Sequence, residues 1–328
     1  MKDKYKIAEA NNRELDSMRP LPPETIQSLK DYYRIGLTFS SNALEGNSLT
    51  ESETKIVIED GLTIEGKPLR DVYETVGHAK AYDYIYQITL GRELLEEDIL
   101  KLHKYFYQQI NTEQAGFYRK VPVFISGSSF GVTPPQKIAT EMKRFVAWFN
   151  KSESKISPVE FAALVHKKFV FIHPFIDGNG RLAHLLMNLS LLRNNYSIAI
   201  IPAILRNEYI ASLELAHKDD SQFKEFIADR IIATQLDLLR LLKSSGGVKT
   251  INGGVNSTPG AQDGGVITIE NEILILLGAS PGLNAPAIAS VLGKSLRTIQ
   301  RYIKRLSDLD KISFKGAPKT GGYFLNDK

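Results

Sequence analysis

The sequence predicts a mainly α-helical protein, with a large helical core that carries one short β-hairpin and a small C-terminal domain. Three observations lead to this fold class. Apolar residues recur at helical spacing through most of 20–243, whereas residues near 120 alternate as in a strand. A segment rich in glycine, serine, asparagine and threonine, 244–266, then separates the core from the last part of the chain. We therefore predict a flexible linker at 244–266 and a separate domain at 267–328.

The composition is that of an ordinary globular protein. Of 328 residues, 43% are hydrophobic and 24% are charged, and none is cysteine, which excludes disulfides and thiol chemistry. The sequence contains no long uncharged apolar run, so we expect a cytoplasmic protein without a membrane partner. The net charge of +4 belongs to 267–328, with nine basic and five acidic residues, which indicates an acidic partner for that domain.

The first 110 residues are expected to form an N-terminal helical region. Residues before Arg19 show little periodicity and are expected to form a loose arm. Helical patterns follow near 23–39, 50–60, 69–88 and 95–110, and a further one lies at 135–150 in the core, 111–243.

The most informative stretch is a loop of nine residues, 173–181, between two predicted helices. The first helix starts with a capping box at Ser157 and ends before Pro174, and leucines at helical spacing follow the loop. Helix N-termini favour anions, and glycines let the main chain approach a phosphate closely. The loop supplies a base, a hard oxygen ligand for Mg²⁺, a phosphate cradle and a cation, which together suit phosphoryl-type transfer. These groups are His173, Asp177, Gly178, Asn179, Gly180 and Arg181.

The stretch resembles the signature of Fic-domain proteins, His-Pro-Phe-x-Asp/Glu-Gly-Asn-Gly-Arg-x-x-Arg, over residues 173–184. The last position differs, because this chain has His184 where the signature has a second arginine. The resemblance implies transfer of AMP from ATP and Mg²⁺ to a protein hydroxyl. It implies His173 as the general base, Asp177 as the Mg²⁺ ligand, and residues 178–181 and position 184 as phosphate-binding.

The segment 41–46 also has two interpretations. From the residues alone it is a helix end, with Gly46 as the terminating glycine and Glu45 as an exposed charge. It also matches the inhibitory motif Ser/Thr-x-x-x-Glu-Gly/Asn of class II Fic proteins through Ser41, Glu45 and Gly46. That resemblance implies that Glu45 obstructs the terminal phosphate of ATP. We further hypothesise that a protonated His184 pairs with Glu45 and makes the inhibition sensitive to pH.

Residues 117–133 are expected to form the β-hairpin. A hairpin of this kind is either a decoration of the fold or, by resemblance, a flap that binds an extended target segment by main-chain pairing. The predicted target-docking positions are Val121, Val123, Phe124 and Ile125.

The C-terminal domain resembles a winged helix-turn-helix, with two short helices, a third from Leu296 to Leu309, and strands at 312–314 and 323–325. The third helix carries Arg297, Arg301 and Lys304, candidates for contacts with DNA. Docking of another protein and a purely structural role remain alternatives for this domain.

The leading hypothesis is an autoinhibited protein adenylyltransferase that modifies a serine, threonine or tyrosine hydroxyl, its own included. Removal of AMP from a modified protein, or transfer from another nucleotide, is the first alternative. A DNA-binding regulator whose core senses nucleotide is the second. By analogy with the family, a homodimer is expected.

Overall fold

The computed structural model describes residues 2–89, 92–244, 269–279, 281–292, 294–317 and 321–326. The chain divides into two compact units, Met1–Ser257 and Thr258–Lys328. Apart from Ser244, the predicted linker 244–266 lies outside the described residues.

The first unit is helical, as the sequence predicts. Its helices are α1 (Lys2–Ser17), α2 (Pro23–Leu44), α3 (Glu51–Glu59), α4 (Leu69–Gln87), α5 (Glu96–Tyr107), α6 (Pro135–Ser152), α7 (Pro158–Ile172), α8 (Asn179–Arg193), α9 (Arg206–Leu215) and α10 (Ser221–Ser244). A short 3₁₀ turn, Ala203–Leu205, precedes α9. Among the described residues, no helix combines the length and the apolar character that crossing a membrane requires.

Helix α8 is the centre of this unit. Every residue from Arg181 to Leu191 is buried, so α8 is covered on all sides rather than along one stripe. It packs closely against α7, whose buried residues include Phe161 and Phe169. The loop that joins these two helices is therefore held between two well-packed elements.

The prediction of a loose N-terminal arm is wrong, because residues 2–17 form α1. This helix buries Ala8, Asn12 and Leu15, which recur at helical spacing, against the long helix α10. Gln235 donates a hydrogen bond to the carbonyl of Ala8 at 3.0 Å. The buried face includes a polar asparagine, which is why the apolar pattern is weak.

The β-hairpin predicted for 117–133 is not formed, because these residues contain no strand. The segment has one turn, in which the amide of Ser128 bonds to the carbonyl of Ile125 at 3.2 Å. The alternation at Val121 and Val123 therefore does not reflect a strand paired within the segment.

The second unit has the elements that the sequence predicts. Its helices are α11 (Ile269–Ala279), α12 (Ala285–Leu292) and α13 (Leu296–Asp308), followed by β1 (Ile312–Lys315) and β2 (Gly322–Leu325). The two strands pair antiparallel, with Ile312 opposite Leu325. The side chain of Ser295 caps α13 by accepting a hydrogen bond from the amide of Thr298.

Candidate functional site

The loop between α7 and α8 has a fixed shape. His173 ends α7 in the left-handed conformation, with φ of 52°, and its amide bonds to Phe169. The side chain of Asn179 accepts from the amide of Phe175 at 3.0 Å and donates to its carbonyl at 2.9 Å. The predicted phosphate-binding residue Asn179 therefore uses its side chain to brace the loop, which leaves its main-chain amide for an anion.

His103 supports the same loop from α5. Its Nδ1 accepts a hydrogen bond from the amide of Gly116 at 2.8 Å, so its proton lies on Nε2 and faces the carbonyl of Asp177 at 3.2 Å. Its ring stacks on Phe175 with centroids 3.8 Å apart. Burial lowers its pKa to about 4, so this histidine is neutral and supports the loop through its hydrogen bonds and ring stacking.

The candidate base, His173, is half-buried beside this loop. Burial, helped by the positive charge of Arg119, lowers its pKa to about 4, although the main chain of Val170 and the charge of Asp177 oppose the shift. Its Nδ1 is buried and has no hydrogen-bond partner within the described part of the chain. The imidazole is therefore neutral at physiological pH and can accept a proton.

Asp177, the candidate metal ligand, belongs to a closed ring of alternating charges. Its Oδ2 lies 2.5 Å from Nη2 of Arg70, and its Oδ1 lies 3.3 Å from Nη2 of Arg181. Glu74 completes the ring, with one oxygen 3.1 Å from Nε of Arg70 and the other 2.8 Å from Nη1 of Arg181. Two carboxylates and two guanidinium groups thus neutralise one another at the start of α8.

The donor set fits a magnesium ion that is shared with a phosphate ligand. No group of three or more histidine or acidic residues that could hold a metal occurs in the described ranges. Mg²⁺ is commonly bound by one or two carboxylates together with phosphate oxygens. The carboxylate of Asp177 is about one-third exposed and has the required chemistry.

The start of α8 is a cradle for an anion. Gly178 precedes the helix with φ of 79°, a conformation that suits glycine, and Gly180 has no side chain over the first turn. Glu45 fills this cradle, because a Cβ added to Gly180 would collide with its carboxylate oxygen Oε1 and lie 2.8 Å from its Cδ. Glu45 is exposed as a residue, but its carboxyl group points inward, and burial raises its pKa despite the charge of Arg181.

The segment 41–46 lies at the end of α2, which positions Glu45. Helix α2 ends at Leu44, whose carbonyl accepts a hydrogen bond from Nε of Arg206 at 2.7 Å. Gly46 follows with φ of 93° and lets the chain turn away. Asn47 then donates to Oε2 of Glu74 at 3.1 Å, which connects this segment to the charged ring.

His184 does not act as the cation that the hypothesis requires. It is 2% exposed, its Nδ1 lies 2.9 Å from Oγ of Ser41, and burial lowers its pKa to about 3. The imidazole of His184 thus faces Ser41 rather than Glu45, and burial favours its neutral form, which does not support the predicted pairing with Glu45. Its phosphate-binding role stays a prediction.

In the segment 117–133, hydrogen bonds from the side chain of Arg119 to main-chain carbonyls take the place of pairing between strands. Its Nε donates to the carbonyl of His173 at 2.8 Å, and its Nη groups donate to the carbonyls of Val121 at 3.0 Å and Thr133 at 2.5 Å. One buried arginine thus ties both ends of the segment to the candidate base. At its tip, Ser128 and Ser129 bond to the carboxylate of Glu214 on α9.

Three of the four predicted target-docking positions are exposed. The exposed fraction is 52% for Val121, 95% for Phe124 and 37% for Ile125, while Val123 is half-buried. The side chain of Phe124 is therefore accessible to a partner.

The DNA-binding candidates lie together on α13. Arg297, Arg301 and Lys304 are all exposed, at spacings of four and three residues, so they share one face. The opposite face of the helix buries Ile299, Ile303 and Leu306.

Sequence reasoning missed Arg70, Glu74 and Arg119, which contact the loop from α4 and from the segment 117–133. The spacing of Arg70 and Glu74 indicates a helical ion pair, but nothing in it points to residue 177.

Comparisons with known proteins agree on one family. Residues 93–191 match the sequence model of the Fic/DOC family. The chain is 38% identical over 195 residues to the protein adenylyltransferase Fic of Drosophila grimshawi, and 37% identical to that of Drosophila yakuba. These matches cover 58% of this chain but only 40% and 39% of those proteins, so the chain spans less than half the length of the curated relatives it matches.

Solved structures show the same fold. Fic-1 from C. elegans superposes with a TM-score of 0.67 at 29% identity, over 74% of each chain. A Fic domain containing signaling protein from Bacteroides thetaiotaomicron gives 0.66 at 26% identity, over 75% of this chain and 100% of that one. A Fic family protein from Desulfovibrio desulfuricans G20 has a TM-score of 0.60 at 20% identity over 99% of this chain and 96% of that one, a likeness of fold alone.

Proposed function

We propose that this chain, whose residues 93–191 match the Fic/DOC family, is a protein adenylyltransferase held inactive by Glu45. One observation carries the proposal: a neutral histidine, an acidic oxygen ligand, a glycine cradle and an arginine converge at the start of one buried helix. These groups are His173, Asp177, Gly178, Gly180 and Arg181.

In the proposed reaction a hydroxyl oxygen of the target protein attacks the α-phosphorus of ATP. His173 accepts the hydroxyl proton as the new oxygen–phosphorus bond forms, and the bond to the β-phosphate breaks, so that pyrophosphate leaves. The amides at the start of α8 and the guanidinium of Arg181 stabilise the charge that develops on the phosphates. A Mg²⁺ ion held by Asp177 would neutralise further negative charge on them.

His173 is suited to this task by its surroundings. Its pKa of about 4 keeps the imidazole neutral at pH 7, although it also makes the group a weaker base than an ordinary histidine. The bond from Arg119 to its carbonyl fixes the left-handed turn that presents the ring. The same arginine holds Val121, so the proposed docking segment and the base are positioned together.

Glu45 would inhibit the reaction by occupying the place of a phosphate. Its carboxylate lies at Gly180, where the amides of α8 and the charge of Arg181 favour an anion. A phosphate group and a carboxylate cannot share that position, because like charges repel and their atoms would overlap. Activation therefore requires that the end of α2 moves or that Glu45 is replaced.

The identity of the transferred group tests the proposal directly. Glu45→Gly protein is incubated with Mg²⁺ and with ATP labelled on either the α- or the γ-phosphate. Label on protein from the α-position alone supports AMP transfer. Label from the γ-position would indicate a kinase reaction, and label from neither would favour removal of AMP or another donor.

A second proposed function is DNA binding by the C-terminal unit, which we propose is a winged helix. The exposed cations on one face of α13, Arg297, Arg301 and Lys304, carry this proposal. Titration with a DNA duplex at two salt concentrations tests it, because phosphate contacts make affinity fall steeply with salt. We also propose a homodimer, which a measurement of the molar mass in solution tests, and a cytoplasmic location.

A further inference from the structure

Position 184 leaves a deficit of positive charge in the candidate site. The signature that this chain resembles places an arginine there, whereas His184 is buried, neutral and turned toward Ser41. Arg181 is then the only cation supplied by residues 173–184. One guanidinium is a weak counterpart for the several negative charges of a nucleoside triphosphate.

A second guanidinium reaches the site from another helix. Arg70 stands at the beginning of α4, and its Nη2 lies 2.5 Å from Oδ2 of Asp177. Its side chain is 55% exposed, whereas that of Arg181 is 4% exposed. Arg70 thus stands on the solvent side of Asp177, where an incoming ligand meets it first.

The contacts of Arg70 divide into a fixed one and an exchangeable one. Its Nε bonds to Glu74, whose side chain is 6% exposed and which also holds Arg181. Its Nη2 bonds to the carboxylate of Asp177, the proposed metal ligand. If that carboxylate held a metal ion instead, the guanidinium would lose this partner but would keep its bond to Glu74.

We propose that Arg70 binds the β- or γ-phosphate of the nucleotide and so supplies the positive charge that position 184 lacks. This inference rests on the proposed use of ATP, and it makes Arg70 a nucleotide-binding residue rather than a merely structural one. A guanidinium presents two donors to phosphate oxygens and keeps its charge, which suits this role.

Direct binding measurements separate this role from catalysis. In Glu45→Gly protein with Mg²⁺, the dissociation constants of ATP and AMP are measured by calorimetry without a target protein. Arg70→Gln removes the charge but keeps a donor near Glu74, and Arg70→Lys keeps the charge but loses the fork. Arg144→Ala is the matched control, because Arg144 is exposed and pairs only with Glu141 on α6 among the described residues.

We expect Arg70→Gln to weaken ATP binding about tenfold, since a lost charge-assisted contact with phosphate is of that order. Binding of AMP should change less than about threefold, because AMP lacks the β- and γ-phosphates. The ATP affinity of the Arg70→Lys variant should lie between that of Arg70→Gln and that of the Glu45→Gly parent. The Arg144→Ala variant should bind ATP as tightly as that parent. Thermal unfolding of each variant establishes that it is folded.

Three results would overturn the inference. ATP affinity that is unchanged or tighter in Arg70→Gln would mean that Arg70 merely holds Asp177. Equal weakening of ATP and AMP would mean that Arg70 shapes the site without touching the outer phosphates. The third result is that the Glu45→Gly parent protein does not bind ATP. If the parent binds ATP but transfers no label, the transferase proposal fails, and the affinities still decide the role of Arg70.

Discussion

The carboxylate of Glu45 lies against Gly180, so one acidic side chain from the end of α2 covers the first turn of α8. This is the position that the amides of α8 offer to an anion. Gly180 is what makes the contact fit, because any larger residue would collide with the carboxylate. The proposed inhibitory segment and the proposed phosphate cradle thus meet at one glycine.

The two effects of Glu45, its charge and its bulk, can be separated by substitution. Glu45→Gln keeps the shape and removes the charge, whereas Glu45→Gly removes both. We expect ATP affinity to rise in both variants, and about tenfold further in Glu45→Gly, because only that variant empties the space over Gly180. Equal affinities in the parent and both variants, measured by calorimetry, would contradict the inhibitory role.

Ser41 and His184 should hold α2 in its inhibitory position. Ser41→Ala leaves the buried Nδ1 of His184 without a partner, which should lower the free energy of unfolding by about 1–3 kcal/mol. Because Glu45 directly follows the last residue of α2, Ser41→Ala should also raise ATP affinity. Ser48→Ala is a useful comparison, since the Ser48 side chain bonds to Asp71 and not to α8. A Ser41→Ala protein with unchanged stability, measured by urea unfolding, would refute this function of the pair.

Gly178 should be intolerant of a side chain. In Gly178→Ala the left-handed conformation costs about 1–2 kcal/mol, and the new Cβ would lie 2.8 Å from the ring of Phe106. Gly127→Ala is the control, because Gly127 has a similar φ of 82° and nothing within 4 Å. Urea unfolding should therefore show a larger loss for Gly178→Ala than for Gly127→Ala. Equal losses of stability would mean that the loop accommodates the added methyl group beside Phe106 without strain.

Stability should fall in mild acid because of buried histidines. Burial lowers the pKa of His78 and of His184 to about 3, whereas both titrate near 6.5 when unfolded. Between those values the two histidines bind protons in the unfolded chain but not in the folded chain. The free energy of unfolding therefore rises with pH. Each histidine should contribute up to about 1.4 kcal/mol per pH unit below its unfolded pKa. Urea unfolding between pH 7 and 5 checks this, and a His184→Gln variant with an unreduced slope would contradict it.

Much of the site could be predicted because its residues are adjacent in the chain. His173, Asp177 and Arg181 lie within nine residues, and a helix–loop–helix brings them together without distant contacts. Arg70 and Arg119 are 107 and 54 residues from their partners in the loop, so only the packing of α4 and of 117–133 reveals them.

The errors have physical causes as well. The alternation at Val121 and Val123 suggested a strand, but Arg119, rather than a neighbouring strand, binds the main-chain carbonyls of Val121 and Thr133. The exchange of arginine for histidine at position 184 suggested a substitute cation. Burial beside Ser41 makes that histidine neutral, which no local pattern reveals.

The central claim is that His173 and Glu45 act in opposite ways at one nucleotide site. The most direct test compares protein labelling from α-labelled ATP for the parent, Glu45→Gly and Glu45→Gly/His173→Ala proteins. The account predicts little label on the parent, strong label on the Glu45→Gly protein and none on the double variant. Equal labelling of all three proteins would contradict both roles.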